Sequence, residues 1–227
     1  MTSVAGTHLE TQALLRLMAW LSPAFPIGGF AWSGGLERAV HDRLVRDAAD
    51  LRAWISTVLA HGSLWNDAVL FCEAWRQADN GDALREVAEL GLALAGSMER
   101  YAETLSLGTA FVAGASAWPH PVFKRLPGEL PFPVAVGAVA ASHGVPAEPA
   151  LAAYLHAAVS QWVSAAIRLG VCGQADGVKV LAATEETIGG LAQKAPILSL
   201  ADLGTATVQA EISSLRHETQ HSRLFRS

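Results

Sequence analysis

Residues 47–59 read Asp-Ala-Ala-Asp-Leu-Arg-Ala-Trp-Ile-Ser-Thr-Val-Leu, and this stretch decides the fold class. Leu51, Trp54, Ile55, Val58 and Leu59 fall at i, i+3, i+4, i+7 and i+8, which gathers apolar side chains on one face of an α-helix. Asp47 stands where a carboxylate accepts from the first unpaired N–H groups, so it is the expected N-cap. The same period returns in Leu155, Val159, Trp162, Val163, Ala166 and Ile167, entered after the Pro146–Pro149 break and ending near Gly170 or Gly173. Between these two helices, 64–77, 84–94 and 98–117 are rich in Ala and Leu, with an Asn80-Gly81-Asp82 turn separating the first pair. No window shows the alternation of a half-buried strand. The expected fold is all-α: a single-domain bundle of roughly eight to ten helices over residues 1–227, with a flexible N-terminus (1–10) and an extended C-terminal tail.

Two proline-rich stretches, 22–29 and 118–133, interrupt the helices as shaped loops. The last helix is expected to start at Ser199, capped there with Asp202 in its first turn, and to run through Leu203, Ala206, Ile212 and Leu215. Trp20, Trp54, Trp65 and Trp162 sit beside leucines and valines at helical spacing and are expected to fill the core.

With 227 residues, 51% of them hydrophobic, the chain is long enough to bury a sizeable core. A net charge of -5 argues against nucleic-acid binding by phosphate neutralisation. The apolar run 151–172 carries His156, Gln161 and Arg168, costly groups inside a bilayer, so it reads as a core helix and no membrane is expected. The two cysteines, Cys72 and Cys172, are far apart and form neither a zinc ribbon nor a disulfide framework, which suits a reducing cytoplasm. No basic region followed by an apolar stretch opens the chain, so no secretory leader is expected.

His217-Glu218-Thr219-Gln220-His221 matches HExxH, the string that places two imidazoles and a general-base carboxylate on one helical face of a zinc hydrolase. A third ligand is missing downstream, and Arg216 and Arg223 bracket the string with charges that repel a divalent cation. The composition of this end suits docking onto a partner better. Arg216, His217, Glu218, Gln220, Arg223 and Arg226 offer directional polar contacts, while Leu215, Leu224 and Phe225 offer apolar anchors. No phosphate-binding loop and no nucleophile elbow occurs, so no catalytic residue and no stably bound cofactor or metal is expected.

Three separated segments together resemble the urease accessory protein UreF family. They are Ser22-Pro23-Ala24-Phe25-Pro26-Ile27-Gly28-Gly29-Phe30 with Ser33, Leu36 and Glu37; Arg168-Leu169 with Gly173-Gln174 and Gly177; and Arg216 to Gln220 with Ser222 to Ser227. The resemblance implies a cytoplasmic, non-enzymatic homodimer that binds UreD (UreH in some organisms) and, with it, recruits the GTPase UreG to apo-urease. In that role it regulates GTP hydrolysis, and nickel is the cargo of the complex. Residue by residue, the resemblance implies that the tail 216–227 faces UreD, with Arg216, His217, Glu218, Gln220, Arg223, Leu224, Phe225 and Arg226 in contact. It assigns Arg168, Gly173, Gln174 and Lys179 to the UreG side. Pro23, Pro26, Gly28, Gly29, Phe30, Ser33 and Glu37 are implied to shape the dimer and partner surfaces. The family pattern commonly has Pro-Leu where this chain has Val171-Cys172, a change expected to loosen the bend there, and tyrosine where it has His221.

Overall fold

The computed structural model describes the backbone of residues 3–227 and the side chains from Glu10 onward. Of the stretch 1–10 expected to be flexible, residues 1 and 2 lie outside the described residues, and the backbone from Ser3 belongs to a helix. Among the described residues there are ten α-helices and no strand. They are α1 (Ser3–Trp20), α2 (Leu36–His41), α3 (Ala48–His61), α4 (Ser63–Arg76), α5 (Gly81–Ala93), α6 (Met98–Ala115), α7 (Phe132–Ser142), α8 (Ala147–Arg168), α9 (Gln174–Lys194) and α10 (Val208–His217).

Local chemistry sets the helix starts. The Asp47 carboxylate accepts from the N–H groups of Ala49 and Asp50, both at 2.9 Å, Asn80 accepts from Ala83, and Ser97 accepts from Arg100. The two periodic segments behave as their spacing predicts, with Leu51, Ile55, Val58 and Leu59 of α3 and Leu155, Val159, Trp162, Val163 and Ala166 of α8 all buried. Among the described residues α8 alone is long and apolar enough to cross a bilayer, but half of that window lies inside the bundle.

The centre of the core is α7, whose Pro133–Ala140 run is buried on every side against α4, α5, α6 and α8. Gly137 lets it approach α4 so closely that an added Cβ would fall well inside van der Waals contact distance of the Phe71 carbonyl oxygen. Trp20, at the end of α1, closes one end of the bundle, its ring edge-on to Phe111, Trp118 and His143. Trp162 is also buried. Trp54 and Trp65 are only half-buried, with Trp65 donating to the Asp202 carbonyl at 2.8 Å beneath the Lys194 ammonium.

Ser199 does form a reciprocal capping box with Asp202, but only for a 3-10 turn, Leu200–Asp202. The chain then runs irregularly through Gly204, and the last helix begins at Val208. The local cap was legible, while the bonds that hold the irregular stretch are tertiary: Gly204 N–H donates to Asn66 Oδ1 at 2.8 Å and Ala206 N–H to the His61 carbonyl at 2.8 Å.

Candidate functional site

The first and last of the segments that carry the family resemblance meet in the structure, and Arg168 of the second joins them. The N-terminal segment reaches this junction by left-handed turns at Gly28, Gly34 and Gly35, of which Gly35 also admits α10: a Cβ there would lie 2.9 Å from the Ser214 nitrogen. Ser33 just before this turn and Glu37 just after it are both buried, and Glu37 N–H donates to Ser33 Oγ at 3.2 Å.

Glu37 organises the junction. Its Oε1 accepts from Leu224 N–H at 2.7 Å, and its Oε2 accepts from Phe225 N–H at 2.9 Å and from His217 Nε2 at 3.1 Å. The opposite ring nitrogen of His217, Nδ1, lies 2.7 Å from Glu99 Oε2, and Glu99 Oε1 accepts from Arg223 at 2.6 Å. His217 is completely buried between these two carboxylates. Ser33 binds the other end of the tail, its N–H and hydroxyl both donating to the Ser227 backbone oxygen, and Arg226 N–H donates to the Ala31 carbonyl. Glu218 accepts from Met98 N–H at 2.8 Å.

Arg168, at the end of α8, joins the second segment to the other two. It donates to the Phe30 carbonyl at 2.6 Å and lies 4.3 Å from the centroid of the Phe225 ring. Arg226 covers Trp32 in the same way, at 5.0 Å. Gly173, Gln174 and Lys179 stand apart and exposed at the start of α9, with Lys179 paired to Asp176. The bend between α8 and α9 is set by Gly170 in the left-handed region: Gly170 N–H bonds the Ile167 carbonyl and Val171 N–H bonds the Ala166 carbonyl. A proline at 171 has no N–H for the second bond, so the Val171 replacement closes this helix end and does not loosen it.

The tail is therefore folded onto its own chain, and this separates the three apolar anchors read from the sequence. Phe225 is 4% exposed, beneath Arg168, whereas Leu215 and Leu224 are 49% and 54% exposed. Arg216, Arg223 and Arg226 are exposed, and Glu218 and Gln220 are half-buried. The HExxH geometry is also absent: α10 ends at His217, so His221 lies beyond the helix, and both ring nitrogens of His217 are occupied by carboxylates. Among the described residues no group of three or more His, Cys, Asp or Glu is placed to hold a metal ion.

Next to the junction lies a cavity of about 660 Å³, walled by the Ser22–Phe30 loop and by parts of α3, α4, α6, α8 and α10. Sequence reading missed the charged cluster in its wall. Arg100 on α6 grips both oxygens of Asp67 on α4 at 3.0 and 2.8 Å, Tyr154 on α8 donates to Asp67 at 2.9 Å, and Glu103 lies 3.6 Å from Arg100. Burial pushes the Glu103 carboxyl above the ordinary range, and Arg100 offsets this only in part. Burial also holds the Tyr154 hydroxyl well above its usual value, with the Asp67 carboxylate acting in the same sense. Burial by itself would lower Arg100, but Asp67 and Glu103 outweigh it and hold the guanidinium above its ordinary range. The only sequence-level signal was Asn66-Asp67 inside an otherwise apolar helical run.

The UreF family model matches residues 45–185. A urease accessory protein UreF from Agrobacterium fabrum is 63% identical over 215 residues, covering 95% of this chain and 96% of that relative. The chain belongs to the UreF family. A Rhizobium etli protein of the same description is 63% identical over 96% of this chain and 98% of its own length, and one from Sinorhizobium medicae is 56% identical over 97% and 99%. All three bear the description urease accessory protein, and the junction described above is built from the segments lying largely outside the matched core 45–185.

Proposed function

We propose that this protein is a non-catalytic, cytoplasmic maturation factor that dimerises, binds UreD (UreH) through its C-terminal end, and with it brings UreG to apo-urease, regulating GTP hydrolysis and nickel transfer. The observation that carries this reading is the outer face of α10. Val208, Ile212 and Leu215, at i, i+4 and i+7, are 62%, 42% and 49% exposed, and Leu224 stands free beyond them. A helix that buries serines and a histidine while presenting its aliphatic side chains to solvent is ordered for something that covers those side chains. The UreD contact therefore centres on Ile212, Leu215 and Leu224 with Arg216 and Arg226 at the rim, and His217 and Phe225 support it from beneath.

Leu14, Leu15 and Met18 form a second exposed apolar stripe, on α1, beside a shallow groove with α8 and α9; this supports self-association. For the UreG side, Gly173, Gln174 and Lys179, with exposed Val178, supply a free surface. Arg168 serves the junction as much as that surface, so Arg168→Glu should weaken both partners' binding, while Lys179→Glu should affect UreG alone. The carboxylates of Asp67, Glu103 and Glu211 in the cavity wall support a route for a cation as cargo. The zinc-hydrolase alternative is disfavoured by the broken helix and the occupied His217 nitrogens.

The test is co-purification of UreD and UreG with the full chain and with an Ile212→Glu/Leu215→Glu variant. Both positions are exposed, so helicity and thermal melting should match the parent. UreD should be lost from the variant by about a hundredfold in affinity, the scale of two apolar anchors replaced by charge in an interface. Undiminished capture of UreD would refute the assignment of this face.

A further inference from the structure

The cavity beside the junction has the make-up of a small-molecule site, a largely apolar wall with a few polar groups gathered at one place. Leu21, Phe25, Trp54, Leu107, Phe132 and Trp162 supply apolar surface, and a volume of about 660 Å³ leaves room for an organic molecule. The cavity is partly open to solvent, so a ligand can enter while the bundle stays closed.

Asp67, Arg100, Glu103 and Tyr154 make a charged chamber in that wall, and their bonding is unequal. Asp67 is well supplied, with two bonds from Arg100 and one from the Tyr154 hydroxyl. Glu103 is not. It is 4% exposed, yet Arg100 comes no nearer than 3.6 Å and Ser227 Oγ donates only at 3.4 Å. A buried carboxyl with such long contacts has acceptor capacity to spare. The upward push of burial on Glu103 has the same origin, because too little positive charge reaches it to offset the lost water.

Two carboxylates share one guanidinium in the chamber, so the unmet demand there is for a cation. Arg168, which also lines the cavity, is turned to the Phe30 carbonyl and the Phe225 ring. A metal ion held at rest needs several ligands, and among the described residues no group of three His, Cys, Asp or Glu is placed to supply them. An ammonium group asks for less: one carboxylate oxygen, with an aromatic wall beside it. We propose that the cavity binds a primary alkylammonium, its nitrogen donating to Glu103 and its apolar stem lying against the Phe25, Trp54 and Trp162 wall. Such an amine keeps its proton at neutral pH, as a lysine side chain does. The site belongs to the free chain and does not rest on the partner assignments.

The experiment is isothermal titration calorimetry of the full chain with n-hexylamine, compared with ethylamine, n-hexanol, hexanoate and nickel chloride. Hexylamine should bind saturably, with affinity rising about fourfold per methylene from ethylamine upward as the stem is buried. Hexanol and hexanoate should bind about tenfold more weakly or worse, since neither brings a cation to the carboxyl. Glu103→Gln should lose about tenfold or more in hexylamine affinity, the scale of one charge-assisted hydrogen bond, while Asp82→Asn, at an exposed carboxylate, should lose none. A second readout needs no variant and covers the case in which Glu103→Gln does not fold. A carbodiimide joins a bound amine to the carboxyl as an amide and leaves as its urea. Glu103 is the only carboxylate between Tyr101 and Lys124, so its coupling is read from one tryptic peptide. Coupling of hexylamine there should saturate over the calorimetric range, whereas coupling at exposed Asp82 and Glu86 should rise in proportion to concentration. Equal affinity for hexanol and hexylamine would overturn the proposal. So would coupling at Glu103 that fails to saturate, or a heat of binding from nickel chloride with none from hexylamine.

Discussion

Replacing Arg100 by methionine removes the cation that pairs with Asp67 and Glu103 in the chamber wall while keeping most of the side-chain volume. Arg100 makes two bonds to Asp67, at 3.0 and 2.8 Å, and its nearest approach to Glu103 is 3.6 Å. Asp67 would keep only the Tyr154 hydroxyl and would face Glu103 with no intervening positive charge. Removing one partner of a buried ion pair costs about 3–5 kcal/mol, because the charge left behind stays desolvated. The Arg100 side chain is 23% exposed toward the chamber, which places the expected loss at the lower end, about 3 kcal/mol. For a domain of this size that lowers the melting temperature by roughly 10 °C. The pH dependence has a definite sign. Burial holds the folded Glu103 carboxyl above its unfolded range, so its contribution to stability is fully present below the unfolded pKa and is lost as pH rises through the folded one. Without Arg100 the carboxylates repel with less relief, so the penalty of Arg100→Met should be greatest near neutrality and shrink on acidification into the carboxylate range. Urea denaturation followed by far-UV circular dichroism at several pH values measures both quantities. A loss below about 1 kcal/mol at neutral pH, or a penalty that grows as pH falls, would refute the reasoning that the cluster is held by charge compensation.

The α4–α7 crossing gives a second outcome: Gly137→Ala must push α7 off the Phe71 backbone, and calorimetry should show a loss of about 3 kcal/mol, the upper part of the overpacking range. The two thiols should differ in reactivity. Burial raises Cys72 to about 12, whereas Cys172 is only partly buried and more weakly raised, so Ellman titration of the native protein should count one thiol and the second only in denaturant.

Much of the bundle was legible because local signals and tertiary packing agree. Asp47 starts α3 where its side chain predicts, the Asn80-Gly81-Asp82 turn does separate α4 from α5, and the 3.6-residue stripes of α3 and α8 face the core. Agreement fails in identifiable places. The α7 segment is apolar at nearly every position, so it carries no period, and the prolines before it drew attention to the loop. Ser199 caps a short turn because Asn66 and His61 bond the chain that follows and hold it out of helix. The candidate site divides in the same way. Its three segments could be named from the residues, but the meeting of the first and the last at Glu37 could not, since Glu37 and Leu224 are 187 positions apart.

By itself, the sequence determined the all-α class and the family, because both are written in residue type and local spacing. Tertiary structure decided which way the tail faces. His217 and Phe225 point inward because Glu37, Glu99 and Arg168, all distant in the chain, supply acceptors and a cation at those points, and the aliphatic groups of α10 are left outward as a consequence. Charge pairing across the fold, which has no period along the chain, also built the chamber of Asp67, Arg100, Glu103 and Tyr154.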